Sequence, residues 1–88
     1  MADRPVSLNN TEAEFLIMDI ELALTFVDVA ETTRVEETVR RNHHNARLAY
    51  DTVLRYLAML SLQVRDRRSI EMKLAVLKAR LEGVGQQF

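Results

Sequence analysis

The chain has 88 residues, of which 48% are hydrophobic, with two histidines, no cysteine and a formal net charge of −1. This length allows one domain with a small core, and the lack of cysteine excludes disulfides and thiolate metal sites. Two glycines and one proline are too few for a loop-rich or all-β fold. We therefore expect a soluble, cytoplasmic, all-α protein with no signal peptide and no membrane contact.

The first predicted element is a helix from about Glu12 to Glu31, preceded by a flexible arm over residues 1–10. Thr11 and Glu14 have the spacing of a capping box, which favours a helix that begins between them. At about 100° per residue, all but a narrow polar stripe of this helix is apolar. A surface helix shows a narrower apolar face, so we expect this helix to be covered on more than one side.

That cover would come either from two helices of the same chain or from a second copy of the chain in a homodimer. The wide arc that runs from Met18 and Val29 through Phe15 and Leu22 to Ala23 and Val27 is interpreted as the side that faces the core of the chain. Ile17, Ile20 and Leu24 then form the excess apolar surface. We therefore predict that these three residues form a homodimer contact, or a contact with an unknown protein partner.

The second helix is predicted over residues 34–60, after a break at Thr32 and Thr33. Its small and apolar residues are Val35, Val39, Ala46, Ala49, Val53, Leu57 and Leu60, and together with Asn42 between Val39 and Ala46 they recur every three or four positions. In one continuous helix this face would point away from the apolar face of helix 1. A tight reversal lets the two faces meet, so we expect an antiparallel hairpin.

Asn42 and His43 interrupt the apolar face of helix 2 near the level expected for Asp19 of helix 1. A buried carboxylate needs a donor, so a polar patch is predicted there, with a structural or a functional role. The candidate donors to Asp19 are His43, Asn42, Arg47 and Tyr50. An Asp–His pair alone lacks a nucleophile and an oxyanion site, and adjacent histidines on a helix diverge. We therefore predict a non-enzymatic protein with no catalytic, cofactor or metal site.

The third helix is predicted to begin between Leu62 and Asp66 and to end with Gly83 just beyond it, which leaves residues 85–88 as a short tail. Its apolar seam is Ile70, Leu74, Leu77 and Leu81. Residues 11–84 are thus predicted to form a single domain, an up-down-up three-helix bundle of long antiparallel helices.

Charge divides the chain into two halves. Residues 1–37 hold nine acidic and two basic residues, whereas residues 38–88 hold ten basic and four acidic residues. We expect the halves to pack together and their rim charges to pair. The predicted function is a protein–protein interaction or assembly module. The alternative is nucleic-acid or phosphate binding through the arginine clusters of helices 2 and 3, which are Arg40, Arg41 and Arg47, and Arg65, Arg67 and Arg68.

One short spacing resembles a known family. Ala46, Tyr50, Val53 and Leu54 are spaced as in the second helix of a tetratricopeptide repeat, and the three-helix layout resembles microtubule-interacting-and-transport domains. The resemblance spans about nine residues, with no second repeat and no Trp or Leu-Gly signature before it. It therefore implies no function for this chain.

Overall fold

The computed structural model describes the backbone of residues 4–88 and the side chains of residues 11–88. Three helices, α1 (Arg4–Thr32), α2 (Glu36–Met59) and α3 (Val64–Gly83), form an up-down-up bundle in which α1 packs against both others. This arrangement confirms the predicted all-α three-helix bundle. Within the described residues, no helical stretch has the length and apolarity needed to cross a lipid bilayer.

The core is built from one face of each helix. The buried residues of α2 are Ala46, Tyr50, Val53 and Leu57, and those of α3 are Ile70, Leu74, Leu77 and Leu81. Both sets recur every three or four positions, so the seam predicted for helix 3 is confirmed. The buried residues of α1 are Ala13, Leu16, Ile20, Ala23, Val27 and Ala30.

The inward face of α1 is only one side of the apolar arc predicted from the sequence: Leu16, Ala23 and Val27 are buried, but the other side of that arc faces outward. Phe15 and Leu22 are exposed, whereas Ile20, predicted in a dimer contact, is completely buried within its own chain. Ile17 and Leu24, the other two predicted dimer residues, are partly buried and pack against the core. The true inward arc carries three alanines, whose small side chains allow neighbouring helices to approach the α1 backbone closely.

The predicted start of helix 1 is wrong, and α2 begins two residues later than predicted. α1 begins at Arg4 and not near Glu12, so the predicted capping box at Thr11 lies inside the helix. The first turn of α1 tolerates Pro5, because the amides there have no intrahelical acceptor. The residue that precedes α2 is Val35, which is extended, and its amide donates to the Thr33 hydroxyl over 3.3 Å. Residues 1–3 of the predicted arm lie outside the described residues.

The end of α3 is set by a glycine other than the one predicted. The helix continues through Gly83, and the residue with a left-handed backbone is Gly85, at φ +98°. The Gly85 amide donates to the Glu82 carbonyl and the Gln86 amide donates to the Leu81 carbonyl, each over 3.0 Å. These two bonds form a Schellman motif, which ends the helix and redirects the chain.

The redirected C-terminal tail lies against α2. Arg47 Nη1 donates to the Gln87 carbonyl over 2.7 Å and to Gln86 Oε1 over 3.2 Å. The Arg47 guanidinium lies 3.9 Å from the centroid of the Phe88 ring. That ring also meets the Tyr50 ring edge-on, with 5.0 Å between centroids. One arginine therefore holds residues 86–88 on the surface of α2.

Replacing Arg47 by methionine is expected to release this tail. The change keeps an unbranched apolar stem but removes both hydrogen bonds to the tail and the cation–π contact with Phe88. The free energy of unfolding should therefore fall by about 0.5–2 kcal/mol. Chemical denaturation measures the loss, and nuclear Overhauser contacts between Phe88 and Tyr50 report the tail. Arg55→Met, which alters an exposed arginine of the same helix, is the control. Persistence of the Phe88–Tyr50 contacts in Arg47→Met would contradict the expectation.

Ion pairs between α1 and α3 join the acidic and basic halves. Arg80 lies 2.8 Å from Asp28 and 2.8 Å from Glu31, and Lys73 lies 3.5 Å from Glu21. Hydrogen bonds to Glu31 and then to Asp28 raise the pKa of Arg80, which therefore stays charged. Pairs this exposed contribute only about 0–1 kcal/mol each, so they favour the register of α3 on α1 more than they stabilise the bundle.

Candidate functional site

Among residues 11–32, four large apolar side chains of α1 face away from the core. Phe15, Met18, Leu22 and Val29 have exposed fractions of 62, 66, 52 and 40%. Intervals of three, four and seven positions bring them to one side of the helix. Phe26, four positions after Leu22, is half-buried and packs against the core. We call the four exposed residues the outer stripe.

At its N-terminal end, the outer stripe adjoins an apolar groove between α1 and α2. The groove has a volume of about 350 Å³. It is lined by Thr11, Glu12, Phe15 and Leu16 of α1 and by Tyr56 and Leu60 of α2. Phe15 belongs to both features, so the groove and the stripe form one continuous apolar surface. A groove of this size accepts one large apolar side chain, and among residues 11–88 Glu12 is the only charged residue that lines it.

Acidic residues surround the outer stripe. Residues 11–32 contain six acids, Glu12, Glu14, Asp19, Glu21, Asp28 and Glu31, and no base. The last three pair with α3. The first three form no ion pair among the side chains that the structure describes. From the helical repeat of about 100° per residue, Glu14 lies on one flank of the stripe and Asp19 on the other.

The predicted polar patch between Asp19 and His43 is not formed. No hydrogen bond joins these two side chains in the described part of the chain. The Asn42 amide instead donates to the Thr38 carbonyl of its own helix over 2.8 Å, a local bond that satisfies a polar group without a partner helix. Asp19 is only partly buried, so water can solvate its carboxylate and no donor from α2 is required.

In the described part of the chain, neither histidine belongs to a group of candidate metal ligands. His43 is partly buried and His44 is exposed. Among residues 11–88, no three side chains of histidine, aspartate or glutamate are grouped so that they could hold a metal ion.

Two residues of the arginine clusters serve the fold. Arg67 Nη2 donates to the Leu57 carbonyl over 2.7 Å and to the Leu60 carbonyl over 3.0 Å, which satisfies acceptors at the C-terminal end of α2. Arg47 Nε donates to Asp51 over 3.2 Å and also holds the tail. These contacts occupy two of the guanidinium groups on which phosphate recognition would depend.

The width of the apolar arc on helix 1 correctly indicated that two sides of this helix are apolar, but it did not identify which side faces the core. Nothing in the spacing of the sequence predicted the groove, because it joins residues of α1 and α2 that are 40 or more positions apart. Comparison of the chain with protein-family models, with curated proteins and with solved structures gave no match.

Proposed function

We propose that this protein is a non-enzymatic interaction or assembly module whose contact surface is the outer stripe of α1 together with the adjoining groove. The observation that carries the proposal is the exposure of Phe15, Met18 and Leu22 in a row on the side of α1 opposite the core. Each of these side chains keeps more than half of its surface in water. Adjacent apolar side chains of this kind are typical of protein contact sites.

The form of the surface supports a helical partner. Anchors spaced three and four positions apart on one helix match the spacing of a second amphipathic helix laid alongside it. The groove beside Phe15 offers a pocket for a central anchor, and buried anchors of this type supply most of the binding energy at interfaces.

Nucleic-acid or phosphate binding is the weaker candidate. Arg47 and Arg67 donate to groups within the chain, and Arg40 pairs with Glu37 on its own helix. The acidic side chains beside the outer stripe would repel a phosphate backbone. Arg41, Arg65 and Arg68 are exposed on α2 and α3, and they are the residues through which such binding would act.

Site-specific photo-crosslinking in the native host cell tests the interaction. A photoreactive phenylalanine analogue at Leu22 is expected to give a discrete protein adduct, and Met18→Glu should suppress that adduct by introducing a charge into the contact. The matched control places the analogue at Met72, which is similarly exposed on α3. The absence of an adduct at Leu22, or an identical adduct at Met72, would overturn the proposal. An adduct of twice the mass of the chain would identify self-association.

A further inference from the structure

We propose that the occupant of the outer stripe is a basic amphipathic helix of another protein. This inference depends on the proposed function and specifies the chemistry of the partner. The apolar side of the partner helix would pack on Met18 and Leu22, and one of its large side chains would enter the groove beside Phe15.

Charge complementarity is the first reason. Glu14 and Asp19 flank the stripe on its two sides, and Glu12 lines the groove. None of these carboxylates has an ion-pair partner among the described residues. A partner with lysine or arginine beside its apolar anchors would pair with them, which steers association and excludes acidic competitors.

The same charges disfavour a second α1 as the occupant. Residues 11–32 contain no base, so two outer stripes facing each other would bring only carboxylates together, in parallel or in antiparallel orientation. Like charges placed against each other destabilise a contact between helices. The homodimer through helix 1 expected from the sequence therefore lacks the charge pairing that a basic partner supplies.

The dimensions of the surface fit a helix. Phe15 and Val29 are 14 positions apart, which is about 21 Å or four turns along α1. Glu12, Glu14 and Asp19, which have no ion-pair partner among the described residues, lie just before this stretch or in its first half, at the end that holds the groove. The basic residues of the partner are therefore expected beside the anchor that enters the groove.

Two designed helical peptides of about four turns test the inference. Both carry leucines at the same three- and four-residue intervals. In the basic peptide the residues beside the leucines are lysine and arginine, and in the acidic peptide they are glutamate. We expect fluorescence anisotropy at low ionic strength to show at least about tenfold tighter binding of the basic peptide. Its binding should weaken as the salt concentration rises. Comparable binding of both peptides, or no binding of the basic one, would overturn the inference.

Matched variants show whether the basic peptide occupies the proposed surface. Leu22→Gln should weaken its binding at least about tenfold, and Met72→Gln should leave it unchanged. Glu14→Gln with Asp19→Asn should weaken it, whereas Glu36→Gln with Glu82→Gln removes two exposed charges elsewhere and should not. Equal effects of the two double variants would mean non-specific attraction and would overturn the inference.

Failure of this inference can be distinguished from failure of the proposed function. Sedimentation equilibrium that reveals a dimer lost in Leu22→Gln would identify a second copy as the occupant. That result would refute the basic partner but keep the outer stripe as an interaction surface. If the peptides do not bind while Leu22 still crosslinks to a protein in cells, the partner chemistry alone is wrong.

Discussion

Replacing Ile20 by alanine is expected to lower the free energy of unfolding by about 2–5 kcal/mol. Ile20 is completely buried, and it lies on the helix that packs against both of the others. The substitution removes three heavy atoms from a close-packed environment and leaves a cavity that the surrounding helices fill only in part. Urea denaturation measures the difference from wild type.

Met18→Ala is the matched control for Ile20→Ala, because Met18 lies two positions away on the exposed side of the same helix. Its effect should stay within about 0.5 kcal/mol. The opposite ranking, with Met18→Ala the more damaging, would mean that the Phe15 and Leu22 side of α1 faces the core.

Ala46→Leu is expected to destabilise the bundle by about 1–3 kcal/mol through overpacking. Ala46 is completely buried on α2, and Ala23 is completely buried on α1. Arg34 is the middle residue of the connection between the two helices. Ala23 lies 11 positions before it and Ala46 lies 12 positions after it, so the two alanines fall at about the same level of the hairpin. Small residues here allow α1 and α2 to pack closely, and a leucine would force the helices apart or into strained rotamers.

The control for Ala46→Leu is Ala75→Leu, which adds the same atoms at an exposed position of α3. Its effect should be within about 0.5 kcal/mol. Thermal or urea unfolding followed by circular dichroism gives both values. Equal stability of Ala46→Leu and wild type would show that space exists between α1 and α2 where the structure has none.

The two faces of α1 separate stability from recognition. Substitutions on the inward face, such as Ile20→Ala, remove packing and are expected to destabilise the protein. Substitutions on the outer stripe, such as Leu22→Gln, alter a surface already in contact with water and should leave the fold intact. Binding defects of outer-stripe variants can therefore be attributed to the surface itself.

The sequence by itself determined the helical class, the number of helices and the inward face of α3. Leucine and isoleucine recur there every three or four positions between polar residues, from Ile70 to Leu81. Only one arc of that helix has a continuous seam of large apolar residues, so local periodicity identifies the core side. The break near Thr33 was likewise predictable, because the apolar faces on its two sides point in different directions.

Only the tertiary structure decided which face of α1 is buried. Nearly the whole circumference of this helix is apolar, so burial of Phe15 and burial of Ile20 satisfy the same periodicity. Packing against two helices at once selects the arc with Ala13, Ala23 and Ala30, because bulky Phe15 there would prevent close approach. Ile20, one of the three residues predicted in the dimer contact, is buried within its own chain for this reason.

The remaining differences depend on contacts between residues far apart in sequence. The groove joins Phe15 to Tyr56, and Arg47 holds the tail that follows Gly85. Spacing along one helix carries no information about such pairs, because their geometry depends on how the three helices pack. The sequence therefore determined the helices and most of their seams, whereas packing decided which apolar surface of α1 is exposed.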